Sequence, residues 1–514
     1  RGAMSVKSVG AQARRGGCPG SAWHLVLGLV AVCLPTPVVA WQYGIMIDAG
    51  SGGSRLHFFR WPKRVADPLR PLYPAVTIPE SMFEVSVRPG ISAFAHNISG
   101  LGPYMDQLLS QAQDKLADLR EQWYLIPVYM KATAGARNLY QDQRDEIFAK
   151  LRDILASCPF RFDDFYWART ISGEEEAVYA WLSVNAIKGT FQQNPQATWG
   201  ALDMGGASTQ IAFIPHGISI IQNYYPLHIS SVHVHLYSHS YLEFGYRDAR
   251  QRLLRGLLHW GFGNGTRKHP IRSPCAQQGA PFRLHFSEAF ALGRTRFWVQ
   301  GTGNLTECKR LSTLLLNTNA RCYVPAVSRD FAIDSRKGAC AISGVYEPEL
   351  ANRHFVAMGQ YAEQAEKLGL PMGELIAMNA WEAAVERQCG PGSWPAHCWR
   401  SIWLGLVITE GLRFNPNRKQ IKFSKVLEGQ QTGWAFGAMM NEVNYYPWTS
   451  GSTSPLAEFA AAPAQPASRG VDAMGAAAVL TSVSLLSASV GWLASRRWSP
   501  RSFRLDALGG PLLC

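Results

Sequence analysis

Two short segments of the chain share one design: an apolar run, an aspartate, a glycine-rich turn carrying hydroxyls, and a second apolar run. The first is Asp48-Ala-Gly-Ser-Gly-Gly-Ser-Arg55 and the second Asp203-Met-Gly-Gly-Ala-Ser-Thr-Gln210. Glycine lets a backbone come close to a ligand and turn its N–H groups toward it. Successive inward N–H groups, joined by Ser or Thr hydroxyls, form a nest for phosphate oxygens. An aspartate at the end of a strand can hold a divalent cation, directly or through water. One such turn is usually only a hairpin; two, each with Asp before and Ser after, read as a pincer around a phosphate chain. Neither is a Walker loop, because no Gly-Lys-Ser/Thr follows.

Two more segments lie between the turns. Tyr129-Met-Lys-Ala-Thr-Ala-Gly-Ala-Arg137 follows an apolar run, and the small residues around Thr133 would let a loop sit close to a ligand. Ile171-Ser-Gly-Glu-Glu-Glu-Ala-Val-Tyr-Ala-Trp181 puts three carboxylates at the apparent start of a helix. An acidic first turn commonly just complements the helix dipole. The other reading is a general base, Glu175, that orients water onto a terminal phosphate. Spacing alone does not choose among Glu174, Glu175 and Glu176.

These residues need elements to position them. The run from Tyr43 to Asp48 and the run from Ser54 to Trp61 predict a hairpin, and the stretch from Thr198 to Phe213 predicts another. Helical spacing runs from Asp106 to Leu119 and from Gln141 to Leu155. The body is therefore expected to be mixed α/β with two hairpin-bearing lobes, and 514 residues exceed what one core ordinarily holds. With 47% hydrophobic and 17% charged residues the chain is not globally disordered. The net charge of +13 is accompanied by no nucleic-acid-binding motif.

The ends predict a membrane-anchored secretory protein. Residues 1–40 read as a signal segment or an uncleaved anchor, with Arg14 and Arg15 before an apolar run. Residues 449–472 form a Ser/Pro/Ala-rich stalk, 473–495 a transmembrane helix, and 496–514 a basic tail on the cytosolic side. Clustered cysteines and the Asn-x-Ser/Thr sites at Asn97, Asn264 and Asn304 suggest an oxidising compartment: the Golgi or endolysosomal lumen, or the cell surface. The sequence carries no signal for oligomeric state.

The segments resemble the apyrase conserved regions of the nucleoside triphosphate diphosphohydrolase (ecto-apyrase) family. Asp48 to Arg55 resembles the first region, Lys131 to Arg137 the second, Ile171 to Asn185 the third, Ala201 to Phe213 the fourth and Gly433 to Asn444 the fifth, in family order. The resemblance implies two RNase-H-like lobes of the actin/Hsp70/hexokinase type, lobe I over 41–171 and 427–448 and lobe II over 172–426, with the site in the cleft between them. It implies metal-dependent removal of terminal phosphates from nucleoside tri- or diphosphates, with Ca²⁺ or Mg²⁺ as cofactor and a nucleotide as substrate. By motif match Glu175 falls at the catalytic base, with Thr133 helping to place the water. Asp48 and Asp203 match the acids that hold the metal through waters. Ser51, Gly52, Gly53, Ser54, Gly205, Gly206, Ala207, Ser208 and Gln210 match the phosphate loops. Trp434 matches a tryptophan near the metal shell, and Tyr361 is the candidate for stacking on the base. The family pattern also implies disulfides Cys275–Cys308, Cys322–Cys340 and Cys389–Cys398, leaving Cys158 as an unpaired buried thiol. The first loop is closer to the intracellular and plant-like form than to cell-surface members, and Glu410 stands where some of the latter carry a base-contacting Arg. Two other classes share parts of the pattern: an exopolyphosphatase-like hydrolase and a catalytically inactive binding protein on the same fold.

Overall fold

The computed structural model describes residues 41–63, 76–190, 194–217, 220–230, 232–286, 295–320, 340–350, 353–390 and 393–445. The expected signal segment, stalk, transmembrane helix and basic tail lie outside the described residues, as does Cys322. Among the described residues no helix is long and apolar enough to cross a membrane.

The first expected hairpin forms from β1 (Trp41–Gly50) and β2 (Gly53–Pro62), with Asp48 directly opposite Arg55. Antiparallel β3 (Glu80–Val87) extends it on one side. Helix α1 (Leu101–Lys115) follows, then β4 (Val128–Ala132), α2 (Ala134–Arg137), α3 (Gln141–Ser157) and β5 (Ala168–Thr170). Strands β4 and β5 add in parallel beyond β1, giving the order β3-β2-β1-β4-β5. The α1 span ends earlier than the apolar spacing predicts, because Ala117 to Leu125 tighten into a 3₁₀ turn.

After α4 (Gly173–Ile187) the pattern is rebuilt. β6 (Gly200–Met204) and β7 (Ser208–Phe213) form the second expected hairpin, and β8 (Tyr224–Ile229) and β9 (Val232–Leu242) follow. Helix α5 (Tyr246–His259) leads to a small sheet of β10 (Ile271–Gln278), β11 (Phe282–His285) and β12 (Arg296–Gly301). Then come α6 (Leu305–Leu316), β13 (Phe355–Gly359), α7 (Gln360–Lys367), β14 (Leu375–Ile376), α8 (Met378–Gln388), α9 (Cys398–Leu406), β15 (Ile421–Phe423) and α10 (Trp434–Tyr445). The larger sheet has the order β14-β15-β13-β6-β7-β9-β8. Its core, β9-β7-β6-β13-β15, repeats the first sheet: two antiparallel neighbours on one side of the leading strand and two parallel strands on the other.

The period of two along each strand decides where side chains go. Ile45, Ile47 and Ala49 of β1, with Val128, Met130 and Ala132 of β4, pack against α1 and α3. Leu202 and Met204 of β6, with Ile211 and Phe213 of β7, enter the core of the second sheet. The opposite faces supply Met46, Tyr129, Ala201, Ala212, Val356 and Met358 to a third cluster, in which α4 and α10 lie between the two sheets. Helices α4 and α10 approach closely: a Cβ on Gly437 would stand 1.8 Å from the Tyr179 carbonyl oxygen.

The Cys275–Cys308 and Cys389–Cys398 disulfides are present, and Cys158 is free and half-buried against α3. The expected Cys322–Cys340 pair includes a residue outside the described set. Asn97, Asn264 and Asn304 are all exposed.

Candidate active site

The alternation that sends Ile47 and Leu202 into the outer cores turns Asp48 and Asp203 toward the middle layer. Both are buried, at 6% and 8% exposure. Burial raises the Asp48 pKa despite the Arg55 guanidinium, whose Nη1 donates to Oδ2 at 3.0 Å. The other Asp48 oxygen, Oδ1, is buried and takes no hydrogen bond. Burial and the charge of Asp48 push Asp203 up to about 6. The two carboxylates therefore share one crevice and repel each other across it.

The two glycine-rich turns face each other there. An ideal Cβ on Gly206 would stand 2.6 Å from Ser51 Oγ and 2.5 Å from the Arg247 side chain, so only glycine leaves room for this approach. Arg247, at the start of α5, bridges the turns: its backbone N–H donates to the Gly206 carbonyl at 2.8 Å and its Nη2 to Ser51 Oγ at 2.5 Å. The same guanidinium lies 3.3 Å from a Cβ position on Gly52. Gly205 N–H donates back to the Ser208 carbonyl at 2.9 Å, which closes the second turn over buried Ala207. Thr133 is buried at the head of α2, and its N–H donates to the Ala49 carbonyl at 3.2 Å beside the first turn. Gly135 lets α2 press on that turn, since a Cβ there would lie 2.7 Å from Ser51 Cα.

The three carboxylates of α4 have three different surroundings, because successive helical residues point about 100° apart. Glu174 is partly exposed near His239. Glu175 is committed to the helix start: Ser172 and Glu175 form a capping box, each side chain taking the other's backbone N–H at 3.0 Å. Arg169 of β5 clamps it with two bonds, at 2.5 and 2.9 Å. Burial opposes ionisation of Glu175, but the Arg169 bonds and the Ser172 N–H outweigh it and hold its pKa below the usual carboxylate range. A buried pair, Lys131 Nζ to Glu442 at 2.6 Å, joins β4 to α10. Glu175 thus belongs to the bracing of the middle layer.

Glu176 is the carboxylate that meets the turns. It is 5% exposed, and its Oε2 accepts from Arg137 at 2.6 Å and from Gln210 at 3.1 Å. Arg137 also donates to Ser208 Oγ at 3.2 Å, and Gln210 to Ser208 and Ser240 hydroxyls at 2.6 and 3.0 Å. Burial pushes Glu176 up to about 8, Arg137 pulling against it and the Asp203 and Asp48 charges adding to it.

Ser54 and Tyr361 stand apart from the crevice that the sequence assigns them to, and Gly53 stands at its edge. Ser54 lies on the opposite face from Asp48, where its hydroxyl accepts from Tyr104 of α1 at 2.8 Å, so it does not offer that oxygen to the crevice. Gly53 starts β2 opposite Gly50, where a Cβ would stand 2.5 Å from the Val87 carbonyl oxygen. Tyr361 is 0% exposed with its hydroxyl 3.0 Å from Thr209 Oγ1, so neither ring face is free to stack on a base. Trp434 opens α10 and is buried in the middle core. Arg137 closes α2 and Arg247 stands in the first turn of α5, and a lone arginine at a helix end carries no pattern in the sequence. A signal for Glu176 did exist: Ser172 and Glu175 have the capping-box spacing, which commits Glu175 to the helix end.

Residues 39–457 match the model of the GDA1/CD39 (nucleoside phosphatase) family. This chain belongs to the GDA1/CD39 family. Bovine ectonucleoside triphosphate diphosphohydrolase 1 (Bos taurus) is 27% identical over 475 residues, covering 84% of this chain and 86% of the relative. A probable apyrase 6 of Arabidopsis thaliana is 27% identical over 425 residues, covering 78% and 72%. A crystal structure of nucleoside triphosphate hydrolases from Neospora caninum superposes with a TM-score of 0.55 at 16% identity, covering 79% of this chain and 93% of that one. That superposition shows the shared mixed α/β fold. The motif resemblance read from the sequence thus corresponds to membership of the GDA1/CD39 family.

Proposed function

We propose that this GDA1/CD39 chain hydrolyses the terminal phosphate of nucleoside tri- or diphosphates, and that Glu176 rather than Glu175 is its base. The observation that carries the reading is the convergence of Glu176, Asp48, Asp203 and two facing glycine-rich turns on one buried crevice. The repeated sheet order supports the actin-type reading of two RNase-H-like lobes with the site between them.

The donor set fits a hard divalent cation such as Ca²⁺ or Mg²⁺. Asp48 and Asp203 are buried like charges and Asp48 Oδ1 has no partner, so a dication would relieve both. When bound it would neutralise charge on the phosphate oxygens. The chain's own groups supply the rest. The turns' N–H groups and the Ser51 and Ser208 hydroxyls hold the phosphate oxygens, and Arg247 and Arg137 balance their charge. Thr133, beside the first turn, helps place the water. Glu176 is fixed through Oε2 by Arg137 and Gln210. Its Oε1 takes the proton of a water aimed in line at the terminal phosphorus. Positioning carries most of such a displacement, so one carboxylate suffices and no phospho-enzyme forms.

Two disulfides and three exposed sequons support an oxidising, extracytosolic location for the body. The deciding experiment is phosphate release by the purified chain from a panel of nucleotides and from polyphosphate, with EDTA, Mg²⁺ or Ca²⁺. Nucleotide turnover that EDTA abolishes and either cation restores is expected. Release from polyphosphate alone would replace the substrate assignment, and release unaffected by EDTA would remove the cation from it.

A further inference from the structure

We propose a second metal site, of different chemistry, at the outer end of the β8–β9 hairpin. Ile229 and Val232 are the last paired residues of the hairpin, and the ladder fixes its register. One step from the turn, His228 stands directly opposite His233. Both are exposed, and their rings lie 4.3 Å apart between centroids with planes at 66°. Directly opposed side chains on neighbouring strands have Cβ atoms about 4.5–5.5 Å apart. Two imidazoles at that span can reach a common ion at the usual Zn–N length of about 2.0–2.1 Å.

The strands hold this geometry from behind. Leu227, Ile229, Val234 and Leu236 alternate with the histidines and are buried in the middle core, so neither histidine can exchange faces without unseating that core. His235 is exposed two residues along, but the residue directly opposite it is Pro226, whose side chain offers no ligand atom. The ligand set is therefore the His228–His233 pair, with water completing the shell. Neutral imidazole nitrogen selects Zn²⁺, Cu²⁺ or Ni²⁺ and disfavours Ca²⁺ and Mg²⁺, which take oxygen ligands. The ion would tie the outer end of β9, the strand that carries Ser238 and Ser240 to Glu174 and Gln210. A second convergence, Cys389, His397 and Cys398, offers no thiolate because its cysteines are bonded to each other.

The test titrates the untagged full chain with Zn²⁺ by calorimetry, in non-reducing buffer with excess Mg²⁺ filling oxygen sites. One equivalent is expected to bind, weakened at least about tenfold by His228→Gln or His233→Gln and unchanged by His397→Gln. All three residues are at least partly exposed, so the variants keep the fold. Absence of a Zn²⁺ equivalent, or one undiminished in the His228→Gln/His233→Gln double variant, overturns the proposal.

Discussion

At the scale of single residues, the chemistry rests on which of two adjacent glutamates does what. Glu176→Gln keeps the hydrogen bond to Arg137 but removes the proton acceptor, so turnover should fall by about 10²–10⁴-fold with the thermal midpoint nearly unchanged. Glu175→Gln should keep most of the turnover and lower the thermal midpoint, because it leaves Arg169 half-buried without its carboxylate. Steady-state phosphate release and a melting curve on both variants decide between them; the opposite pattern would return the base to Glu175. The sequence points to the acids of this segment and to Asp48 and Asp203 as candidates. Within the segment, only the capping-box spacing of Ser172 and Glu175 separates Glu175 from Glu176; otherwise three acids in one helical turn look alike until β5 supplies Arg169 and α2 supplies Arg137. Tyr361 was misread for a similar reason: an aromatic after a strand looks available until Thr209 from a distant hairpin is seen to cover it.

At the scale of elements, the site depends on α4 being held against α10. The approach of Gly437 to the Tyr179 carbonyl allows no side chain, so Gly437→Ala must push the helices apart. A loss of about 1–3 kcal/mol is expected in denaturant unfolding. Turnover should fall as well, because α4 carries Glu176; wild-type stability in this variant would show that the helices can separate without cost. Both hairpins were readable from sequence because each is local: an Asp-terminated strand, a turn of glycines and a return strand lie within about 20 residues of each other. The repeat of sheet order was less legible. Its parallel strands, β4 and β13, join their sheets across long connections whose partners the local pattern does not name.

At the scale of the whole molecule, acid should weaken the fold through His57. This residue lies on the middle-facing side of β2 among Arg55, Phe59 and Glu84 of β3. Burial, helped by the Arg55 charge, lowers its pKa to about 3. The unfolded chain takes up that proton near the ordinary value of about 6.5, so between these limits the unfolded state binds more protons and stability falls as pH falls. His57→Gln should flatten this dependence. The difference between wild type and variant should change by up to about 2 kcal/mol from pH 6.5 to pH 5, read from denaturation midpoints at each pH. Equal pH slopes for the two proteins would show that His57 is protonated in the fold. The middle layer also sets the order in which the molecule can be completed. The first sheet is finished by residue 170, yet α10, which covers part of its inner face, is the last described element. A chain emerging from the ribosome must therefore carry Met46, Phe59 and Trp61 uncovered on that side while the entire second sheet is made. During synthesis it exposes a sticky apolar wall that folding helpers would have to shield until α10 arrives.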